Sequence, residues 1–315
     1  MRRSVTNLFI MNLAMADFLI MLFGIPEIVQ FVINRGWLLG LALCKFQRFV
    51  LVVSLYASIM TLVAVCVERY IAIVHPIKAH ILCSRRRILF AISAIWPVAF
   101  ASGLPTALYN QVIAPPGLAV DLCIILFPSN TKKNLMTFKL VEFLLYFLAP
   151  ILIQVLLYAI VCRRLFVGTE KLHRKKKVHD ENGGQKEKDS EAIRARRGVV
   201  KMLMASVAVY FFSYAPLQIP LFYDMIAEKP FKFNWSFLVL ILTLGYVNSA
   251  ANPVLYSIFS QNFRRRFQRV LCCCSSRWQD PRITRNLYNV VDSKKNTVRF
   301  SNSRLNTVMT SVSEM

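Results

Sequence analysis

The sequence predicts an all-α membrane protein built as a bundle of six spanning helices, and three observations carry that expectation. Of its 315 residues, 56% are hydrophobic and only 17% charged, too apolar for a water-soluble globule of this size. The apolar residues gather into runs near the ~20 residues that a spanning helix needs. The net charge of +23 is not spread evenly but falls mostly on one side of those runs.

Taken in order, the predicted spans are 5–33, 44–72, 88–105, 138–161, 199–225 and 233–259. The first is too long for a cleavable signal peptide, and it bears Asp17 and Pro26 in place of a small-residue cleavage site, so it is expected to act as its own anchor. With the N-terminus inside, the inner segments carry Arg2, Arg3, Lys78, Arg85 to Arg87, a basic run over 163–201, and Arg264, Arg265, Arg266 and Arg269. The outer loops between spans carry Arg35, Lys132, Lys133, Lys229 and Lys232, so the positive-inside bias sets both termini in the cytoplasm. The basic clusters read as topology signals that also meet anionic lipid headgroups, not as a nucleic-acid surface.

This topology sorts the eight cysteines by compartment. Cys44 and Cys123 fall on the oxidising outer side, whereas Cys66, Cys83, Cys162 and Cys272 to Cys274 lie in a span or inside, so one disulfide, Cys44 to Cys123, is predicted. Between the third and fourth spans, Tyr109 to Ile113 and Leu122 to Phe127 are rich in β-branched and aromatic residues and flank Ala114-Pro115-Pro116-Gly117, the pattern of an outer hairpin lid. Segments 168–197 and 275–315 are too polar to bury a core and are expected to be disordered. Between the last span and the tail, 263–274 reads as a membrane-surface helix, amphipathic and basic, ending in Cys272-Cys273-Cys274, a target for palmitoylation.

Two other classes are weighed and set aside. No internal repeat or paired broken helix marks a transporter. All four histidines, His75, His80, His173 and His179, lie in inner loops, so no span carries a His-based centre for an intramembrane enzyme.

The motifs inside the spans are more specific. Acids and arginines in apolar spans cost about 2.5–3.5 kcal/mol each at a helix centre and mark paired or functional positions. Glu68-Arg69-Tyr70 stands where the second predicted span meets the cytoplasm, and Asn252-Pro253-Val254-Leu255-Tyr256 closes the last one. These motifs resemble those of the rhodopsin-like family of G protein-coupled receptors. Asn12-Leu13-Ala14-Met15-Ala16-Asp17 resembles its second helix. Cys44, Ser58 and Glu68-Arg69-Tyr70, with Ala72, Ile73, His75 and Pro76, resemble its third helix and second inner loop; Trp96 resembles the fourth, and Pro150 and Tyr158 the fifth.

The resemblance implies a rhodopsin-like bundle at the plasma membrane with six of the usual seven helices. By this alignment the chain begins in what would be the first inner loop, and a truncated gene model or a splice form is expected. In the family the arginine matching Arg69 pairs with its acidic neighbour, here Glu68, and swings free to meet a heterotrimeric G protein, with residues matching Tyr158 and Tyr256 reaching toward it. Arg196 stands where many members have an acid at the start of the sixth helix, so no second ionic lock is expected. Asp17, Ser58, Asn248, Ser249 and Asn252 match residues that hold an allosteric sodium ion; no other cofactor is implied. Arrestin and receptor kinases are implied partners through tail hydroxyls such as Ser301, Ser303, Thr307, Thr310, Ser311 and Ser313.

For the ligand, Leu51 stands where amine receptors place an aspartate, and no lysine occurs over 234–258, where opsins bind retinal. The expected cavity residues are Gln47, Arg48, Leu51, Glu142, Tyr146, Tyr214, Gln218, Phe222 and Tyr246. Both signs of charge beside aromatics suit an amidated peptide or its backbone. In Phe212-Ser213-Tyr214-Ala215-Pro216, Ser213 and Tyr214 depart from the family's usual Cys-Trp, and Tyr214, together with Arg197 to Met204, is similar to orexin-type neuropeptide receptors. A neuropeptide is the expected ligand, with a lipid or other small non-amine ligand as the alternative.

Overall fold

Burial in this chain does not separate apolar from polar residues as it does in a soluble protein. Met11, Met15, Phe18, Leu22 and Val29 are exposed, whereas Asp17, Glu27, Ser58, Asn248 and Asn252 are buried. In hydrocarbon the apolar side chains lose nothing by facing out, and polar ones gain by meeting each other inside. The computed structural model describes residues 2–114, 120–129, 131–176, 183–226 and 234–259, with side chains described over 6–79, 81–114, 120–129, 132–165, 198–220, 222–223 and 234–259.

Six helices among these residues are long and apolar enough to cross a membrane, in line with the six predicted spans. They are α1 (Arg2–Val32), α2 (Gly40–Val74), α4 (Arg85–Tyr109), the continuous helix of α5 (Thr131–Phe143), a π turn (Leu144–Leu148) and α6 (Ala149–Lys176), then α7 (Gly183–Ile226) and α8 (Trp235–Phe259). A short α3 (Pro76–Leu82) follows α2, with proline at its start, where a missing N–H is harmless. The helices overrun the predicted spans, so Lys132 and Lys133 belong to a helix end and not to a loop. An apolar window stops at the first charges, while backbone hydrogen bonding continues through the headgroup layer.

The largest difference from the sequence reading is the inner segment 168–197. It was expected to be disordered, yet the backbone is helical over Ala149–Lys176 and again from Gly183. A span already supplies the costly helix nucleus, and Lys, Glu, Arg and Ala then propagate it at low cost. The predicted surface helix 263–274, the cysteines Cys272, Cys273 and Cys274, and the tail 275–315 lie outside the described residues.

Helix α2 is the axis of the bundle: 61% of its most apolar window is buried, against 22–39% for the others. It packs on α1, α4 and α6. Asn12 ties three helices together, donating to Thr61 Oγ1 at 2.7 Å and accepting from Trp96 Nε1 at 2.9 Å.

The outer side is closed by the predicted hairpin. Strands β1 (Asn110–Ile113) and β2 (Leu122–Ile125) pair antiparallel, with Val112 opposite Cys123. Cys123 is bonded to Cys44 with Cα atoms 5.7 Å apart, as the compartment argument expected. Trp37 packs on this disulfide, and its backbone N–H donates to the Asp121 carbonyl at 2.7 Å. Gly36 makes that approach possible: its φ is +64°, and a Cβ there would lie 2.4 Å from the Asp121 oxygen.

Candidate functional site

Three polar clusters lie along the bundle axis. At the inner end, Arg69 Nε meets Glu68 Oε2 at 2.8 Å, so the expected ion pair is closed. The same guanidinium also donates to the hydroxyl of Thr6, on the first turns of α1, a restraint that sequence reading did not anticipate. Tyr158 is buried against Cys66 and feels the charges of Arg69 and Glu68. Tyr70 lies edge-on to His75 at 5.7 Å, and Tyr256 is buried one turn beyond Asn252 and Pro253.

In the middle, Asp17 accepts from Asn252 Nδ2 at 2.7 Å and from Ser58 Oγ at 3.3 Å. Asn248 and Ser249 are buried, and the side-chain oxygens of Asn248 and Asn252 find no hydrogen-bond partner among the described residues. A single buried carboxylate beside unsatisfied neutral oxygens fits a hard monovalent cation, since orphaned buried acceptors are costly and such ions take oxygen ligands. Among the described residues no group of three or more His, Cys, Asp or Glu side chains forms a transition-metal cluster.

The outer cluster is centred on a residue the sequence reading passed over. Glu27, only 1% exposed, accepts from the Arg48 guanidinium, from Gln47 Nε2 at 3.2 Å and from Tyr246 Oη at 3.4 Å. Three helices, α1, α2 and α8, therefore converge on one carboxylate. Gln47 also donates to the Phe23 carbonyl at 2.8 Å. The signal was available, because an acid within an apolar span is as costly at position 27 as at 68. Gly24 allows the convergence: a Cβ on it would fall 2.0 Å from a ring carbon of Tyr246.

Across the mouth, Glu142 accepts from Tyr56 Oη and from Lys139 Nζ, both at 2.7 Å. The Tyr56 ring stacks on Tyr146 with centroids 3.7 Å apart. Tyr146 sits in the π turn, where the wider repeat frees a backbone carbonyl. The Tyr210 hydroxyl of α7 donates to that carbonyl, and Tyr214 packs on Tyr210 at 5.1 Å. Phe222 meets Phe143 edge-on at 4.8 Å, while Gln218 is half-buried on the same helix. Leu51 is buried on α2 with 9% of its surface exposed, as is Gln47 with 5%. Thus Gln47, Arg48 and Tyr246 form one group, Glu142 and Tyr146 a second, and Tyr214 with Phe222 borders the second.

Comparison with known proteins shows the family of the chain. Residues 1–256 match the profile of the 7 transmembrane receptor (rhodopsin family). The chain is 36% identical over 285 residues to neuropeptide receptor 15 of Caenorhabditis elegans, covering 87% of this chain and 82% of that one. It is 32% identical over 281 residues to rat somatostatin receptor type 1, covering 88% of this chain and 65% of the relative. It is 30% identical over 272 residues to human galanin receptor type 1, covering 86% of this chain and 73% of the relative. The members of this family are signalling receptors and not enzymes. With its six apolar helices and an inner arginine paired to its neighbouring glutamate, the chain belongs to the rhodopsin family of G protein-coupled receptors, multi-pass proteins of the plasma membrane.

Proposed function

We propose that the chain binds an extracellular neuropeptide in its outer mouth and activates a heterotrimeric G protein at its inner face. The observation that carries the reading is the outer cluster. Two acid–base pairs, Glu27 with Arg48 and Glu142 with Lys139, stand among Tyr56, Tyr146, Tyr214 and Tyr246 beneath a disulfide-tied hairpin. Such a wall offers donors, acceptors and ring faces together, which suits a peptide better than a lipid tail. The relatives named neuropeptide, somatostatin and galanin receptors support the same reading. The likeness to orexin-type receptors rests on Tyr214 and on 197–204, and the proposal rests on the wider peptide group.

Signal passes as a population shift between two packings of one bundle. A peptide bound at Gln47, Arg48, Leu51, Glu142, Tyr146, Tyr214, Gln218, Phe222 and Tyr246 favours the packing in which α7 moves away from α6. Asp17 with Ser58, Asn248, Ser249 and Asn252 holds a sodium ion in the resting packing; when bound, the ion supplies a compensating positive charge beside Asp17. At the inner end Arg69 leaves Glu68 and Thr6, Tyr158 and Tyr256 turn toward it, and a surface for the G protein opens around Tyr70 and Pro253. Coupling between such sites is worth about 1–3 kcal/mol, so agonist affinity and G protein affinity should each change about 5- to 150-fold when the other is bound. Palmitate on Cys272, Cys273 and Cys274, and phosphate on the tail for arrestin, complete the proposal.

The test is G protein dissociation in cells expressing this chain, and separately this chain with a family first helix added at its N-terminus, challenged with pooled neuropeptides. A response abolished by Arg69→Ala is expected. Silence from both forms at the cell surface, with a response to lipid pools instead, would replace the peptide by a lipid ligand.

A further inference from the structure

The outer cluster distributes charge unevenly between what is buried and what is accessible. Glu27 has 2% of its side chain exposed, but its partner Arg48 has 25%. A guanidinium carries five donors in a rigid fork. Among the described residues Arg48 donates from Nη2 to Glu27, and a quarter of its side chain is exposed. The pair is thus a buried acid with a partly exposed cation, and its net charge is zero. The opposite wall repeats the balance, because Glu142 is matched by Lys139. Lys45, three residues before Arg48 on α2, donates to the Leu108 carbonyl at 3.0 Å.

A donor without net charge selects against anions. A ligand carboxylate on the free edge of Arg48 would share one guanidinium with Glu27, two negative charges on one positive in a partly desolvated setting. A neutral carbonyl oxygen takes the same hydrogen bonds without that repulsion. Glu27 also fixes the fork in place, since Gln47 and Tyr246 hold the carboxylate from two further helices. Resting on the peptide-receptor reading, we propose that Arg48 docks a neutral carbonyl oxygen of the ligand, such as a terminal carboxamide, in preference to a carboxylate, and that Glu27 is the residue that sets this preference.

The test uses purified receptor in nanodiscs and two probes that share an aromatic body, N-acetylphenylalaninamide and the free acid N-acetylphenylalanine, at millimolar concentration. Dissociation constants are read from thermal shift for the wild type, Glu27→Gln, Glu27→Asp and Arg48→Gln. In the wild type the amide should bind at least about ten-fold more tightly than the acid, the size expected for one unfavourable charge contact. Glu27→Gln keeps the size and leaves Arg48 unpaired, so the order should invert. Glu27→Asp keeps the charge and should keep the wild-type order, which separates a charge effect from damage to the fold. Arg48→Gln should abolish the discrimination. Equal binding of both probes to the wild type, no binding of either, or the same order in Glu27→Gln would each overturn the proposal. Because the probes report on Arg48 directly, their result stands apart from the neuropeptide screen, whose silence alone would count against the receptor's ligand class.

Discussion

Gly24→Ala should destabilise the resting bundle by driving one ring out of place. An added Cβ would lie 2.0, 2.6 and 2.7 Å from Cε1, Cζ and Cδ1 of Tyr246. Carbon atoms rest near 3.5–4.0 Å, so the ring must retreat by about 1.5 Å. The Tyr246 hydroxyl is already 3.4 Å from Glu27 Oε2, and a retreat of that size breaks the contact. Overpacking costs about 1–3 kcal/mol, and loss of a long hydrogen bond to a carboxylate adds about 1 kcal/mol. Against this, alanine is a better helix former than glycine by about 0.8–1.0 kcal/mol. The net expectation is a loss of about 1–3 kcal/mol, read from chemical denaturation in nanodiscs. In a Tyr246→Ala background the ring is gone, only the helix-propensity gain remains, and Gly24→Ala should become stabilising. This change of sign is the decisive feature of the double-mutant cycle. If Gly24→Ala destabilises both backgrounds equally, the close approach of α1 and α8 through this ring is refuted.

Three further expectations follow from single contacts. Tyr210→Phe removes the hydroxyl that ties α7 to the π-turn carbonyl of Tyr146; losing about 1 kcal/mol from the resting packing alone should raise ligand-independent G protein dissociation about five-fold, and unchanged basal activity would show that the bond persists on activation. Cys44→Ser releases a closed loop of 79 residues' separation, which the chain-entropy relation values at about 4.5 kcal/mol, so little receptor should reach the surface by antibody labelling. Asp17→Asn removes the one carboxylate of the central cluster, so replacing sodium by choline should shift agonist affinity several-fold in the wild type and leave the variant's affinity unchanged.

Much of this architecture can be read along the chain, because a bilayer imposes rules that act locally. The count of six spans and the inner placement of the basic loops follow from residue-by-residue transfer energies. The Cys44–Cys123 bond follows once those spans assign each cysteine a compartment, and the hairpin between β1 and β2 follows from two β-branched runs around Pro115 and Pro116. The pairing of Glu68 with Arg69 follows from adjacency and from the motif that contains them.

Other features exist only when distant residues meet. Thr6 reaches Arg69 across 63 positions, Tyr56 reaches Glu142 across 86, and Tyr246 reaches Glu27 across 219. The helical continuation of α6 and α7 into 168–176 and 183–197 was hidden for a different reason: composition reports the cost of starting a helix there, while the span supplies the nucleus. Residue composition along the chain sets which segments leave water and which residues are too polar to do so alone. Which of those polar residues satisfy one another is settled by helix packing, because burying a carboxylate in hydrocarbon is tolerable only where several helices deliver its donors to one point.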